Sequence, residues 1–266
     1  MVLSTVLLGV LIWAYDNYRA EHATFAWTRG VRIMLVAVVD PVTDSSDEAR
    51  KGFLQRVLSG VVPTEGNVAG LARWFEEEYM RHTGKSGPPI EFIVRGPIAA
   101  DRPAPSIPSA EDSFFTRWRA TRAFLDYFDR IGRDEKLVFA AYDAVVFVYF
   151  YDEDEKDKYR HHHSVASRRE RRGVVFTELS HARIDRACAI LAHEVCHTLG
   201  ATDKYEGQRS LFPHGFADPD REPPYPQDQA EIMALGIPIE PGRERVIEDL
   251  GDCVIGRRTA EEIGWR

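Results

Sequence analysis

Residues 193–205 read HEVCHTLGATDKY, and this stretch carries the strongest structural signal in the chain. His193 and His197 are four residues apart, so on an α-helix both imidazoles project from one face and can reach one metal ion. Glu194, beside the first histidine, is placed to act on a water bound to that metal. The residues that lead in, 186–192 (RACAILA), are too apolar for a solvated helix. The sequence therefore predicts a metal site on a partly buried helix.

The third ligand is expected from the turn after this helix. Gly200 can take the positive φ that ends a helix and turns the chain back. Asp203, six residues after His197, then comes within reach of the two histidines. His214 is the alternative ligand, but it lies eleven residues beyond Asp203 and would lose more loop entropy to reach the ion. We predict His193, His197 and Asp203 as ligands of a catalytic Zn²⁺, with one coordination position left for water.

The extended motif resembles that of the metzincin zinc peptidases, HExxHxxGxxH followed by a turn that contains a methionine. Asp203 stands where that pattern has its third histidine, as in the snapalysin-like members of the clan. Residues 230–236 (AEIMALG) look like the methionine turn, with Met233 beneath the metal. The motif is also similar to that of the immunoglobulin-A-peptidase-like group, which ends in an acidic residue with a tyrosine near the last ligand. The resemblance implies a mixed twisted sheet, an active-site helix and a small irregular C-terminal subdomain.

The order of elements predicts an α+β fold whose N-terminal part is α/β-like. Apolar, β-branched runs predict strands at residues 31–40, 90–95, 141–151 and 173–178. One helix is expected from the cap Asn67 to Gly84, and residues 52–62 are ambiguous. A second helix should begin at Ser113 and end at Gly132, and Asp185 should cap the metal-site helix. The second helix should bury a stripe that consists of Phe114, Trp118, Thr121, Leu125 and Phe128. Thr259 to Glu262 form a capping-box pattern that opens a last short helix.

Composition limits the classes of protein that this chain can belong to. The 266 residues are 44% hydrophobic and 29% charged, as in ordinary globular proteins. A net charge of −8 gives no reason to expect nucleic-acid binding. Of the three cysteines, Cys188 and Cys196 are too far apart on one helix to form a disulfide, whereas a bridge from Cys253 to either stays open. The sequence carries no signal for an oligomeric state.

Two domain-level segments are predicted. Residues 30–266 form the catalytic domain, with an N-terminal subdomain to about residue 200 and a C-terminal subdomain at 201–266. Residues 1–20 form a hydrophobic segment that is a secretory signal, a signal-anchor or a packed helix. Its apolar part, 1–15, is shorter than the ~20 residues that span a bilayer. We expect export or membrane anchoring, with the catalytic domain outside the cytoplasm. Residues 152–172, rich in charge and histidine, are expected to be a solvated loop, with a second ion site as the alternative.

These features predict a zinc-dependent endopeptidase that acts on a peptide or protein substrate. Glu194 would take a proton from the zinc-bound water and deliver it to the leaving amine. The charge of Asp203 should make zinc a weaker Lewis acid and move the activity optimum to more alkaline pH. Tyr205 either hydrogen-bonds the reaction intermediate or packs against the turn. The alternatives are a zinc hydrolase of a non-peptide amide and a membrane-tethered binding protein whose zinc site does not turn over.

Overall fold

The computed structural model describes residues 27–43, 48–59, 67–106, 113–159, 163–180 and 182–266. The hydrophobic segment predicted at residues 1–20 lies outside these ranges. Within them, no helix is both long enough and apolar enough to cross a membrane.

A five-stranded mixed sheet forms the centre of the molecule, with the strand order β2-β1-β3-β5-β4. Its strands are β1 (Val31–Val39), β2 (Ile90–Ala99), β3 (Ala144–Tyr151), β4 (Val165–Ser167) and β5 (Arg172–Glu178). β1, β2, β3 and β5 run parallel, and β4 pairs antiparallel with β5. The four predicted strands are confirmed, and the mixed sheet agrees with the predicted α+β class. β4 was not predicted, because three residues are too few to show a periodic pattern.

The central strand β1 separates two hydrophobic clusters. Arg32 is its one partly exposed residue, and the other eight are buried. Val31, Ile33, Leu35, Ala37 and Val39 belong to one cluster, and Met34, Val36 and Val38 belong to the other. Successive side chains of a strand point to opposite faces, so both faces of this sheet are covered. This explains why β1 reads as a continuous apolar run and not as an alternation.

Helices cover both faces of the sheet. The first cluster includes residues of α1 (Glu48–Ser59), α2 (Val68–Thr83) and α5 (Ile184–Leu199), while α3 (Phe114–Asp134) and the short α4 (Lys156–Tyr159) contribute to the second. α2 has both predicted ends. The Asn67 side chain accepts a hydrogen bond of 2.8 Å from the backbone N–H of Gly70, and Gly84 closes the helix with a φ of 68°. The ambiguous residues 52–62 are helical up to Ser59 within the described range.

The buried face predicted for α3 is wrong except at Phe128, which is buried as expected. Ser113 caps the helix as expected, but Thr121 is exposed and Leu125 is 38% exposed. The buried residues are Phe124, Tyr127, Phe128 and Ile131, which follow an i, i+3, i+4, i+7 pattern. The true stripe is therefore rotated about the helix axis by roughly one residue, or about 100°. The helix also continues past Gly132 to Asp134. The side chains of Phe114 and Trp118 lie outside what the structure describes.

The structure corrects the predicted loop at residues 152–172 and decides the question of a disulfide that the sequence left open. The solvated loop predicted at residues 152–172 contains a 3₁₀ turn (Glu153–Glu155), α4 and β4. None of its described residues belongs to a group that could hold a metal ion, so the alternative of a second ion site gains no support. All three cysteines are buried and free, so the bridge from Cys253 is absent.

Residues 201–266 form short elements that pack against α2 and α5. They are β6 (Tyr205–Glu206), β7 (Arg209–Ser210), β8 (Ala230–Glu231), β9 (Ile237–Glu240), β10 (Arg243–Arg245), a 3₁₀ turn (Leu250–Asp252), β11 (Cys253–Val254) and α6 (Arg257–Glu262). α6 begins at Arg257, two residues before the predicted capping box, and its N-cap is Gly256. Glu78 of α2 accepts a 2.5 Å hydrogen bond from the backbone N–H of Ile255, and Trp74 donates one of 3.2 Å to the carbonyl of Cys253. These bonds attach residues 253–255 to α2.

Candidate metal centre

α5 presents two different faces. Residues such as Leu191, Val195 and Leu199 are buried in the first cluster, whereas His193 and His197 are only partly buried. The predicted cap at Asp185 is wrong, because the helix begins after Arg183 and Asp185 lies within its first turn. An acidic residue is still favourable there, since the helix dipole is positive at that end. The two histidines therefore stand on the exposed side of an otherwise buried helix.

Gly200 ends α5 and reverses the chain, as predicted. Its φ is 118°, and its N–H donates to the carbonyls of Cys196 and His197 at 3.0 Å each. A Cβ atom at this position would lie 3.0 Å from the guanidinium of Arg168. Glycine meets both demands, because it tolerates positive φ and has no side chain to collide. The reversal brings Asp203 back over the helix.

Asp203 reaches both histidines. Its Oδ1 lies 3.4 Å from Nε2 of His193 and 3.2 Å from Nε2 of His197. The potential ligand atoms of the three residues all lie within 4.8 Å of one another. His214, the alternative ligand, is exposed and does not belong to this group. The arrangement brings together the three predicted ligands, and their role as ligands stays a prediction.

Hydrogen bonds on the other side of each imidazole determine its protonation. Nδ1 of His193 lies 2.9 Å from the carbonyl oxygen of Ile232, and Nδ1 of His197 lies 2.9 Å from that of Ala201. A carbonyl oxygen only accepts, so each Nδ1 must carry the proton and donate it. In a neutral imidazole Nε2 then presents a lone pair, and both lone pairs face an Asp203 oxygen that also only accepts. Three acceptors converge, and such an arrangement needs a metal cation or an added proton between them.

The pKa values follow from this convergence. Burial raises the pKa of Asp203, but its hydrogen bonds with His193 and His197 outweigh burial and hold that pKa well below its usual range. Burial lowers the pKa of His197, yet its hydrogen bonds with Asp203 and the Ala201 carbonyl produce a net increase. Without a metal, a shared proton therefore stabilises the cluster. The donor set of two imidazoles and one carboxylate fits zinc.

Glu194 lies beside the cluster and is 4% exposed. Its Oε2 is buried and has no hydrogen-bond partner among the described residues. Burial raises the pKa of this carboxyl group against the opposing charges of His193 and His197. Glu194 also lines a cleft of ≈ 190 Å³, together with Arg186, Ala189, Ile190, His193, Tyr205, Ile232, Ala234, Leu235 and Ile247. An unpartnered buried carboxylate at a cleft is a typical proton acceptor.

The segment predicted as a methionine turn packs against the cluster. Met233 is 0% exposed, and its carbonyl accepts a 2.8 Å hydrogen bond from the backbone N–H of Lys204. Glu231 is also fully buried, and its carboxylate accepts from the backbone N–H groups of Met233 (2.7 Å) and Gly256 (3.1 Å). The carbonyl of Ile232 accepts from His193, so this turn orients one predicted ligand directly. The carbonyl of Met233 holds the backbone of Lys204, and this bond positions the loop that carries the second predicted ligand, Asp203.

Met233→Leu should fold and retain the metal, because a swap of similar volume in a core usually costs less than about 1.5 kcal/mol. Thermal unfolding and metal content of the purified variant check this. Met80→Leu is the matched control, since Met80 is 51% exposed and its replacement should change neither quantity. A complete loss of metal from the Met233 variant would mean that the sulfur itself matters.

A buried ion pair holds the loop that carries Asp203. Nζ of Lys204 lies 2.7 Å from Oε2 of Glu262 in α6, and the side chains are 5% and 14% exposed. The same ammonium donates to the carbonyl of Thr202 at 2.6 Å, and Glu262 accepts from the backbone N–H of Thr202 at 2.9 Å. Burial raises the pKa of Glu262, but the bond to Lys204 dominates and lowers it. The last helix thus fixes the residues on both sides of Asp203.

Glu262→Gln should destabilise the protein by about 2–4 kcal/mol, because it leaves the Lys204 ammonium buried without a counter-charge. For a chain of this size the melting temperature should fall by roughly 5–15 °C. The folded pKa of Glu262 is depressed, so its contribution is complete above about pH 5 and disappears as the pH falls through the folded pKa. The gap between wild type and variant should therefore shrink in acid. Glu261→Gln, one residue earlier and exposed, should change stability little; equal effects of both variants would exclude this role.

The sequence did not single out Glu231, Lys204 or Glu262. Their partners are distant in the chain, and no local pattern announces such a pair. Glu262 does occur in the capping-box pattern, but that pattern predicts a local hydrogen bond and not the ion pair that forms. In the sequence, Arg186 shows only the pattern of a helical residue, and its place in the cleft wall has no local signal.

Comparisons with known proteins add little to this geometry. No family model matches the chain, and no curated protein matches it. A solved chain from a chaperone-substrate complex is similar over 89% of this chain, with 13% identity and a TM-score of 0.39. The match spans 35% of that longer chain. Similarity at this level carries no argument about activity.

Proposed function

We propose that this protein is a zinc-dependent endopeptidase of the metzincin type, with His193, His197 and Asp203 as ligands and Glu194 as the proton-transferring base. The observation that carries the proposal is the convergence of three acceptor atoms beside a buried carboxylate oxygen without a partner. The converging acceptors and the unpartnered buried carboxylate both destabilise the folded protein when nothing binds to them. A cation among the acceptors and a proton donor in the cleft would satisfy both.

Each side chain has a defined task in this proposal. Bound zinc would supply a Lewis acid that polarises the scissile carbonyl and lowers the pKa of a water toward ~7. His193 and His197 keep their Nε2 atoms available because Nδ1 donates to a backbone carbonyl. Glu194 accepts a proton at its unpartnered Oε2 and returns it to the leaving amine. Its raised pKa favours this exchange, since an effective base has a pKa near the working pH.

Tyr205 lines the same cleft as His193 and Glu194. Burial and the neighbouring carboxylates raise the pKa of its phenol, so the hydroxyl stays protonated and remains a donor. Of its two predicted roles, we therefore assign Tyr205 the donation of a hydrogen bond to the reaction intermediate, because its phenol lines the cleft beside Glu194.

The proposal is tested by elemental analysis together with a cleavage profile on a proteome-derived peptide mixture. We expect about one zinc ion per chain and internal cleavage of peptides. A chain that binds no zinc at micromolar free metal contradicts the proposal. Zinc binding with hydrolysis of non-peptide amides only would identify the alternative hydrolase, and zinc binding without any hydrolysis would identify a binding protein.

A further inference from the structure

Arg186 lies at the far end of the cleft from the cluster. It precedes His193 by seven residues on α5, so both side chains project from the same face about 10 Å apart along the helix axis. Ala189 and Ile190 line the cleft between them. A peptide substrate bound at the metal cluster would therefore extend the side chain next to its scissile bond along α5, toward the guanidinium of Arg186.

No described residue neutralises the charge of Arg186. No ion pair or hydrogen bond engages this side chain within the described part of the chain. The adjacent Asp185 points away, because consecutive helical residues do not face each other. Glu178, the acidic residue before the helix, pairs with Arg183 at 3.5 Å. Among the residues that line the cleft, Glu194 is the one carboxylate, and it lies at the opposite end beside His193.

The remaining walls limit what the cleft can hold. They are mostly aliphatic, with Ile190, Ile232, Leu235 and Ile247 among them. The volume of ≈ 190 Å³ is below the roughly 300–1,000 Å³ of pockets that hold whole small molecules. The cleft therefore suits one side chain with an apolar stem and a charged end. The complement of an unpaired guanidinium is a carboxylate, which it can bind through two parallel hydrogen bonds.

We propose that Arg186 selects substrates that carry a carboxylate next to the scissile bond, with Asp or Glu side chains as the main source. This inference rests on the proposed peptidase function. A terminal carboxylate offers the same chemistry, and the experiment distinguishes the two sources. Because Arg186 is exposed to solvent, we expect a preference of about two- to fivefold for Glu over Gln.

The experiment uses hexapeptide libraries that place Glu, Gln, Leu or Lys at each position in turn. One library has amidated C-termini and one has free C-termini. Cleavage by the wild-type protein is followed by mass spectrometry, and binding to zinc-loaded Glu194→Gln protein is followed by fluorescence anisotropy. The variants are Arg186→Gln, which should lose the preference for Glu, and Arg186→Glu, which should favour Lys instead. Arg119→Glu is the matched control, since Arg119 is exposed on α3 at the opposite face of the sheet and changes the net charge equally.

The outcomes separate this inference from the proposed function. A preference for Glu in the amidated library that Arg186→Glu inverts supports a side-chain carboxylate. A preference confined to the free-acid library, and lost in Arg186→Gln, supports a terminal carboxylate. Equal use of Glu and Gln by the wild type, or an unchanged preference in Arg186→Glu, overturns the inference. If the wild type cleaves nothing, the proposed function fails, and the anisotropy data still decide whether Arg186 binds carboxylates.

Discussion

Glu194→Ala is expected to abolish peptide hydrolysis while the protein still binds about one zinc ion per chain, because a general base is not a ligand. Glu194 is buried beside the cluster, and within the described residues its Oε2 has no partner that would compete for the proton. Proton transfer by a positioned side chain contributes about 10²–10⁴-fold to catalysis, so the loss should be at least of that order. Steady-state cleavage of a fluorogenic peptide and elemental analysis of the same preparation measure the two quantities.

The isosteric variant Glu194→Gln should lose hydrolysis as Glu194→Ala does. Because Gln keeps the volume of Glu, this result would attribute the loss to the missing base and not to a packing defect. Removing a buried carboxylate without a partner can even stabilise the fold, so a rise in melting temperature is expected for Glu194→Gln. Glu206→Gln is the control, because Glu206 is exposed on β6 near the cleft entrance and should keep full activity. Hydrolysis within tenfold of wild type in either Glu194 variant would rule out the proposed mechanism.

Asp203→Ala should weaken zinc binding by more than about 100-fold, since loss of groups that merely support a ligand already costs 10–100-fold. Asp203 Oδ1 lies within 3.4 Å of both histidine Nε2 atoms, and the bonds around Lys204 hold its loop in place. Competition against a chelating dye measures the affinity. Asp203→His should retain zinc and shift the activity optimum to lower pH, because a neutral ligand restores the Lewis acidity of the metal.

His214→Ala is the matched control for the third ligand. His214 is exposed and stands apart from the group of potential ligands, so zinc content should not change. The opposite pair of results, with zinc lost from His214→Ala and kept in Asp203→Ala, would transfer the ligand role to His214. Circular dichroism of both variants shows whether the fold is intact.

The parts of the site that sequence could predict are those set by local geometry. His193, His197 and Gly200 lie within two helical turns, where spacing alone determines which side chains share a face. β1 was predictable because burial on both faces leaves a continuous apolar run. The face of α3 was predicted wrongly because its aromatic residues are dense enough to fit two stripes, and only contact with the sheet selects the one with Phe124 and Tyr127.

Other features depend on pairs that are far apart in sequence. Lys204 and Glu262 are separated by 58 residues, and Ile232 lies 39 residues from His193. Nothing in the identity of a single lysine or isoleucine indicates which distant group it will meet. Arg186 shows the same limit, because an arginine on a helix is usually solvated and only the surrounding walls turn it into part of a cleft.

The ion pair between Lys204 and Glu262 has a consequence for how metal and fold depend on each other. Asp203 belongs to a loop that α6 holds, so zinc bound to all three side chains would act as a cross-link between α5 and α6. By thermodynamic reciprocity, whatever α6 adds to zinc affinity, zinc must add to the docking of α6. A coupling of about 1.4 kcal/mol corresponds to a tenfold change in either equilibrium. Amide hydrogen exchange in α6 should therefore be slower in the zinc-bound protein than in the zinc-free protein.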